Sequence, residues 1–372
     1  MLNCTSLLKR FFFGVIMLLC AASLLQAQVP QKDNGILDSA ALEAQREYES
    51  LADALKEPTK VYRLSLRSSE LVTLTADIGK FTHLQVLDLW NNQLKTLPPE
   101  IGTLRNLQVL DVSGNADLNI ASAAGALTNL KQLHYLNLWN TQLAVLPAEI
   151  GSLATIRTLN VSSNLLTTLP KELSTLSSLQ TLIISSNKLT TLPPEIGQLT
   201  TLQSVIAWNN QIATLPADIG KLTGLRLLEL GNNQLVTLPP EIGGLTSVKA
   251  INLSSNRLTA LPAEIGKLSA LQDLFLGGNK LTALPPEMAN LSNLRKLALS
   301  ANPQLNFAAA FSILSSLTKL QTLNLSGNQL ETIPPEIAKL SMLEVLVLSG
   351  NKLSPEEQEK VQKLLPNCEI KF

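Results

Sequence analysis

The sequence predicts a single α/β solenoid, a curved right-handed superhelix with a parallel β-sheet on its concave face and short helices or 3-10 turns on its convex face. Two observations predict this fold class. From Val61 onward the chain repeats the phrase LxxLxLxxNxLxxLPxxIGxL, and its second leucine recurs at intervals of 23 residues ten times and 26 residues twice. One unit cannot bury its leucines alone, so neighbouring units must stack into a continuous core.

Each part of the phrase predicts one element. The LxL pair alternates apolar and polar residues, as a short strand with one buried face must. The asparagine that follows, as at Asn92 and Asn164, falls where an amide side chain can bond the backbone of adjacent turns. In the segment LPxxIGxL, proline fixes the turn, glutamate suits the start of a short helix, and glycine is predicted to end it.

The phrase and its spacing resemble the leucine-rich repeat family, and LPxxIGxL is similar to the repeat type of the Ras-suppressor and Shoc proteins. That type is widespread in bacterial proteins and in intracellular plant and animal scaffolds. The resemblance covers residues 61–353 and implies 13 units whose variable strand positions form a binding face. With the N-terminal features described next, the sequence is interpreted as a secreted bacterial member.

The N-terminus predicts export. Lys9 and Arg10 precede an apolar run from Phe11 to Leu25, and Ala27 offers a small residue for cleavage. About 15 apolar residues are fewer than the roughly 20 that a spanning helix needs. We therefore interpret residues 1–27 as a signal peptide and expect an exported protein, at the cell surface, in the periplasm or secreted. An uncleaved anchor and a lipid attached to Cys20 remain alternatives.

Both ends of the repeat array carry predicted caps. Residues 28–60 form a linker and capping region, in which residues 39–56 have helical periodicity with Asp38 or Ser39 as the N-cap. Residues 354–372 form a C-terminal helix and strand, opened by a capping box of Ser354 and Glu357. Two units, after Val112 and Leu299, are three residues longer and Ala-rich. We expect longer convex helices there, with residues 308–310 packed inward.

The tryptophans predict the binding site. When each unit is numbered from its first leucine, all three tryptophans occupy position 7, directly after the strand, where nine other units carry serine or glycine. Large aromatic side chains are enriched at interface hot spots. Packing of each indole over the neighbouring strand remains the alternative. The predicted concave contact residues are Trp90, Tyr135, Trp139, Trp208, Asp88, Asp111, Ile183, Ile206 and Phe275.

This surface predicts a protein or peptide partner, because it combines aromatic, apolar and a few acidic side chains. A carbohydrate is the next candidate, since sugar rings stack on exposed indoles. The 29 basic and 29 acidic residues cancel without long runs of one sign, so no nucleic acid partner is expected. Membrane association is expected only if the N-terminal segment is uncleaved or lipidated.

No pattern in the sequence indicates catalysis. His83 and His134 stand apart from any cysteine, GxSxG elbow or HExxH pair, and Cys368 is interpreted as a structural thiol. No metal or cofactor is predicted, and the chain is not expected to be an enzyme. Two non-catalytic functions remain open: an exported binding module, and an intracellular signalling scaffold of the Ras-suppressor type.

Overall fold

The computed structural model describes residues 36–372, and these residues contain one parallel sheet of 15 strands in strict chain order. The predicted signal peptide with its cleavage after Ala27, and the alternative of a lipid attached to Cys20, concern residues outside the described range. The strands are β1 Glu47–Tyr48, β2 Arg63–Ser65, β3 Val86–Asp88, β4 Val109–Asp111, β5 Tyr135–Asn137, β6 Thr158–Asn160, β7 Thr181–Ile183, β8 Ser204–Ile206, β9 Leu227–Glu229, β10 Ala250–Asn252, β11 Asp273–Phe275, β12 Lys296–Ala298, β13 Thr322–Asn324, β14 Val345–Val347 and β15 Glu369–Lys371.

Short helices return the chain along the convex side. The 3-10 helices are Pro58–Lys60, Ala76–Lys80, Pro99–Thr103, Ile120–Ala123, Ala148–Ser152, Lys171–Thr175, Pro194–Gln198, Ala217–Lys221, Pro240–Gly244, Ala263–Lys267, Pro286–Asn290 and Pro335–Lys339. The α-helices are α1 Ser39–Glu43, α2 Leu51–Ala54, α3 Ala124–Leu127, α4 Phe307–Leu314 and α5 Pro355–Leu364. The predicted α/β solenoid is confirmed.

The strands stack in register, position on position. Leu64 pairs with Leu87, and Leu87 with Leu110, and all three side chains are fully buried. The same register continues to Leu346. Stacked leucines therefore form one continuous core, as expected when each unit contacts only its neighbours.

The repeated asparagines form the predicted ladder. Asn164 donates from its Nδ2 to the carbonyl oxygens of Leu138 and Val161, and its Oδ1 accepts from the amides of Thr141 and Leu143. One buried amide thus joins two units, which satisfies backbone groups that would otherwise be buried without partners. Where Thr141 replaces the asparagine, its Oγ1 donates to the Leu138 carbonyl instead.

Glycine in the IG pair does not end the convex helix, contrary to the sequence prediction. Gly151 lies inside the 3-10 helix Ala148–Ser152. A Cβ at Gly151 would collide with the carbonyl oxygen of Glu172 in the next unit. The glycine is therefore needed because neighbouring convex turns approach closely, a constraint between units that one unit does not reveal.

The two longer units differ from each other. The second contains α4, whose Phe307, Ala310 and Phe311 are buried. The first contains only a 3-10 turn followed by the four-residue α3. The expected inward packing holds for Ala310 alone, because Ala308 and Ala309 are exposed on the other side of α4. The 100° step between helical residues explains why three consecutive alanines cannot all face the core.

The N-terminal region is not one helix over 39–56. Asp38 caps α1 by accepting from the Ala41 amide. The chain then leaves the helix, and Glu47 and Tyr48 pair with Arg63 and Leu64 as the first strand of the sheet. Pairing with the open sheet edge replaces the helical hydrogen bonds that the periodicity predicted, since an unpaired edge would leave its polar groups exposed.

At the C-terminus, Ser354 accepts from the Glu357 amide as the predicted N-cap. The Glu357 carboxylate, however, accepts from the Ile333 amide of the preceding unit rather than completing a capping box. The helix is thereby attached to the array. Among residues 36–372, no helix has the length and apolar content that crossing a membrane requires.

Candidate binding surface

Position 7 follows each strand at the edge of the concave face, and the backbone there turns sharply. The next residue, position 8, has a positive φ in many units, including Asn91 at 55°, Gly114 at 70° and Ser163 at 54°. Asparagine and glycine tolerate this left-handed conformation better than most residues. In the phrase WNN, the first asparagine therefore makes the turn and the second joins the buried ladder.

A three-residue cluster holds the first tryptophan. Asp88 accepts from the Trp90 amide at 2.9 Å with Oδ1 and from Arg67 Nε at 2.9 Å with Oδ2. The Arg67 guanidinium lies 5.7 Å from the centre of the Trp90 ring, within the range of a cation–π contact. Trp90 nevertheless remains 37% exposed, so the cluster presents an ordered indole to solvent.

Arg67 was not among the predicted site residues. It occupies position 7 of the first unit, in the same row as the tryptophans. That shared row position was the available signal, and its adjacency to Trp90 follows from the in-register pairing of β2 with β3.

The second tryptophan is held differently. Trp139 Nε1 donates to Ser163 Oγ of the next unit at 2.9 Å, and Trp139 is 37% exposed. Trp90 leans in the same direction, since a Cβ at Gly114 would lie 3.5 Å from its Nε1. Each indole therefore covers part of the following turn and still offers a face to solvent. Trp208, three units further on, is half-buried.

The predicted acidic contacts are largely engaged by the protein itself. Asp111 accepts from the Ser113 amide at 2.9 Å, from Ser113 Oγ at 2.5 Å and from Asn137 Nδ2 at 2.9 Å. Burial raises the pKa of Asp111, although these hydrogen bonds oppose the rise. Asn137 makes the equivalent bond to the Trp139 amide. The side chain at position 5 thus stabilises the turn after the strand, and in Asp88 and Asp111 the carboxylate oxygens are used mainly for these hydrogen bonds within the protein.

The remaining predicted contacts divide into two groups. Tyr135 and Phe275 are half-buried on the concave face. Ile183 and Ile206 are only 4% and 1% exposed, so they offer a partner almost no surface, contrary to the sequence prediction. They are paired in register on β7 and β8, which brings the two branched side chains side by side.

Glu229 continues this closed central region. It pairs in register with Ile206 and is 5% exposed. Burial raises the pKa of Glu229 to about 8, despite a hydrogen bond from Asn252 Nδ2 at 3.0 Å. At neutral pH this carboxyl is therefore mostly protonated, and the concave centre carries less charge than the sequence indicates.

The described residues offer little to catalysis. No group of three or more His, Cys, Asp or Glu side chains within residues 36–372 is arranged to hold a metal ion. His134 is mostly buried, and burial followed by repulsion from Arg157 lowers its pKa to about 4. Burial also raises the pKa of the Cys368 thiol, which reduces the fraction of reactive thiolate.

Comparison with known proteins identifies the family. A family model described as a leucine-rich repeat region matches residues 108–211, 206–306 and 241–366. A second model, for two copies of the repeat, matches residues 82–122. The chain belongs to the leucine-rich repeat family. No curated protein sequence matches this leucine-rich repeat chain significantly.

Solved structures agree with this assignment. A leucine-rich repeat protein of Leptospira interrogans is 34% identical with a TM-score of 0.68, over 88% of this chain and all of that one. The plant peptide hormone receptor RGFR1, solved in complex with RGF2, is 27% identical with a TM-score of 0.65, over 87% of this chain and 56% of the receptor chain. An internalin of Listeria monocytogenes, 22% identical with a TM-score of 0.71 over 94% and 92% of the chains, shows the shared fold alone.

Proposed function

We propose that this protein is an exported, non-catalytic binding module that recognises a protein or peptide through the N-terminal half of its concave face. The observation that carries the proposal is the pair of indoles at Trp90 and Trp139, both ordered by side-chain contacts and both 37% exposed. Indoles fixed in advance lose little conformational entropy on binding. The two tryptophans lie two units apart, roughly 10 Å at the spacing of parallel strands.

The similar structures support a peptide or protein partner. RGFR1 is described as a peptide hormone receptor in complex with RGF2, and leucine-rich repeat proteins are generally binding modules. A carbohydrate is less favoured, because Asp88 and Asp111, the carboxylates that would bond its hydroxyls, already accept several hydrogen bonds within the protein.

Export rests on the sequence features of residues 1–27 and is part of the proposal. The intracellular scaffold is the competing function. Cell fractionation with an antibody against the repeat array separates the two: we expect the protein outside the cytoplasm and shortened at its N-terminus. Full-length protein found only in the cytosol would overturn export and favour the scaffold.

The binding test is a paired affinity capture from extracellular and surface extracts. The unmodified chain is compared with a Trp90→Ala, Trp139→Ala variant and with a control, Val145→Ala, in which Val145 is 74% exposed away from the tryptophan row. Loss of hot-spot residues typically weakens binding at least tenfold. We expect the double variant alone to lose its partner while keeping its circular dichroism spectrum. Equal retention by all three proteins would rule out the tryptophan edge.

A further inference from the structure

The chain before the first strand lies over part of the concave face. We define residues 36–45, which contain α1, as the N-terminal strap. Its Leu37 amide donates to Gln85 Oε1 at 3.1 Å, and the Glu43 carbonyl accepts from Arg63 at 3.2 Å. Gln85 belongs to the second repeat unit and Arg63 to the first. The strap therefore crosses strand positions that are solvent-facing in a bare array.

A cavity of about 270 Å³ remains between the strap and the sheet. The strap contributes Leu42 and Glu43 to its walls, and successive strands contribute Val86, Val109 and Tyr135. His134 in the fourth unit and Arg157 in the fifth unit line the far end of the cavity. The cavity thus has an apolar wall formed by Leu42, Val86 and Val109, and an arginine lies at each end, Arg63 at the near end and Arg157 at the far end.

The two arginines at the ends of the cavity differ in their ion pairing. Within residues 36–372 Arg157 forms no ion pair, whereas Arg63 at the near end is paired with Glu47 at 2.9 Å. Glu43 also lines the cavity and forms no ion pair in this part of the chain. The strap contributes the Leu42 side chain and the Glu43 carboxylate to the cavity walls, and this carboxylate forms no ion pair with Arg157.

The strap is held weakly. None of the side chains in α1 is buried, and Ile36, Leu37, Ala41 and Leu42 are only half-buried. Segments with few buried apolar contacts open locally at low free energy. By contrast, Tyr48 and Ala54, which follow the strap, are buried in the core. The strap can therefore leave without uncovering the leucine core.

We propose that the strap is a displaceable occupant of this groove, and that the groove binds a short peptide carrying a leucine-like side chain and a carboxylate that reaches Arg157. The apolar side chain replaces Leu42 against Val86 and Val109. The carboxylate pairs with the guanidinium, for which arginine geometry is well suited. The inference rests on the proposed function in one respect: it adds a second contact region to the same concave face.

This region and the tryptophan edge lie on opposite margins of the face. Tyr135 and Trp139 belong to one unit and are four residues apart, about 13 Å along an extended strand. A partner spanning both margins would displace the strap and cover the indoles together. The two regions can be tested separately, because each has its own residues.

The test uses a fluorescent synthetic peptide with the strap's own sequence, ILDSAALEAQ, so no natural partner is needed. The full chain, expressed from its complete coding sequence, is compared with a released-strap variant, Leu37→Asp, Leu42→Asp, and with a control, Ala40→Ser, Ala44→Ser, which changes two exposed strap residues. We expect the released variant to bind the peptide at least tenfold more tightly than the unmodified chain and the control. Leu37 contacts the second unit and Glu43 the first, so an N-terminal extension of the peptide points toward Arg157. The same peptide preceded by two glutamates should bind the released variant at least fivefold more tightly than the unextended peptide does, and adding Arg157→Gln should abolish that gain.

Equal binding of the strap peptide to all three proteins, or a gain from the two added glutamates that survives Arg157→Gln, would overturn the proposal. Hydrogen exchange of the unmodified chain provides a second test that needs no variant. We expect the Leu42 and Ala44 amides to exchange at least a hundredfold faster than the Leu64 and Leu87 amides, and equal protection would overturn displacement. Failure of affinity capture at Trp90 and Trp139 would leave these results unaffected.

Discussion

The two ends of the array cover the same leucine core with different strength. At the C-terminus, Val361 and Leu365 of the capping segment are buried, Glu357 bonds the preceding unit, and β15 pairs with β14. At the N-terminus, residues 47–61 cover the core through Tyr48, Ala54 and Val61. The strap before them buries no side chain of its helix.

A terminal segment of a repeat array therefore need not be only a cap. A cap must satisfy the open sheet edge and cover the last leucine layer, because an isolated repeat is unstable. Residues 47–61 and 354–372 meet that need, whereas residues 36–45 lie on the face that a partner would use. Stability and recognition are therefore assigned to different parts of the N-terminal region.

Loss of the C-terminal cap should lower the stability of the protein more than any other change considered below. Deleting residues 354–372 exposes the last leucine layer, and burial of Val361 and Leu365 alone accounts for about 3 to 6 kcal/mol. Deleting residues 36–45 should cost less than about 1 kcal/mol, since local opening of the strap precedes global unfolding. Urea denaturation followed by circular dichroism measures both, with light scattering to detect aggregation. Equal losses from the two deletions would contradict the difference between the ends.

A single side chain carries part of the C-terminal attachment. Glu357→Ala removes the acceptor of the Ile333 amide, and a lost bond to a charged group typically costs about 1.5 to 3 kcal/mol. Glu356→Ala, at an exposed position in the same turn, is the matched control.

The bond from Ile333 lowers the pKa of Glu357. Its contribution is therefore present above pH 4.5 and is lost as the pH falls through the lowered pKa, so the two variants should converge in acid.

The strap end has its own pH dependence. His134 has an ordinary pKa of 6.5 and a folded pKa of about 4, lowered by burial and then by Arg157. Between these values the unfolded chain binds the proton and the folded chain does not, so stability falls as the pH drops from 6.5 to 4. We expect the unmodified protein to lose about 1 kcal/mol more than His134→Gln between pH 7.5 and 5, since partial exposure limits the effect. Parallel pH profiles of the two proteins would exclude this role for His134.

The sequence predicted the features that repeat with the period of the array, namely the strand positions, the buried leucines and the asparagine ladder. The strand leucines from Leu64 to Leu346 fall at predicted positions and are buried, as are Val205 and Ile251, which replace leucine in two units. The asparagine ladder followed for the same reason, because one amide must serve two adjacent units. Periodicity fixes register, and register fixes the neighbours of each row.

The sequence did not predict contacts that depend on geometry between rows or outside the repeat. Glu47 and Tyr48 became a strand because a sheet edge was available, and helical periodicity gave no sign of it. Ile183 and Ile206 looked like an exposed apolar patch, although strand alternation does not report how closely adjacent side chains pack. The strap crosses several units at once, which no local pattern reveals.

The two ends can be compared most directly by making the same kind of substitution, to glycine, at an exposed helical position in each. These substitutions should change stability less than those described above. Ala40→Gly alters α1 and Gln362→Gly alters α5, and both side chains are exposed. The alanine change is intrinsically larger, about 1 kcal/mol of helix stability, against about 0.6 for glutamine. We nevertheless expect Gln362→Gly to lower the free energy of global unfolding more than Ala40→Gly does.

The reversal follows from where each helix unfolds. If α1 opens before the rest of the chain, the global unfolding transition does not report the loss of helix stability. Ala40→Gly should then change the free energy of global unfolding, measured in urea, by less than about 0.2 kcal/mol. Because α5 covers the core, Gln362→Gly should cost about 0.5 kcal/mol or more. Hydrogen exchange should show the complementary result, with faster exchange confined to residues 36–45 in Ala40→Gly. A larger global effect from Ala40→Gly would mean that the strap is part of the cooperative core, and would remove the physical basis for its displacement.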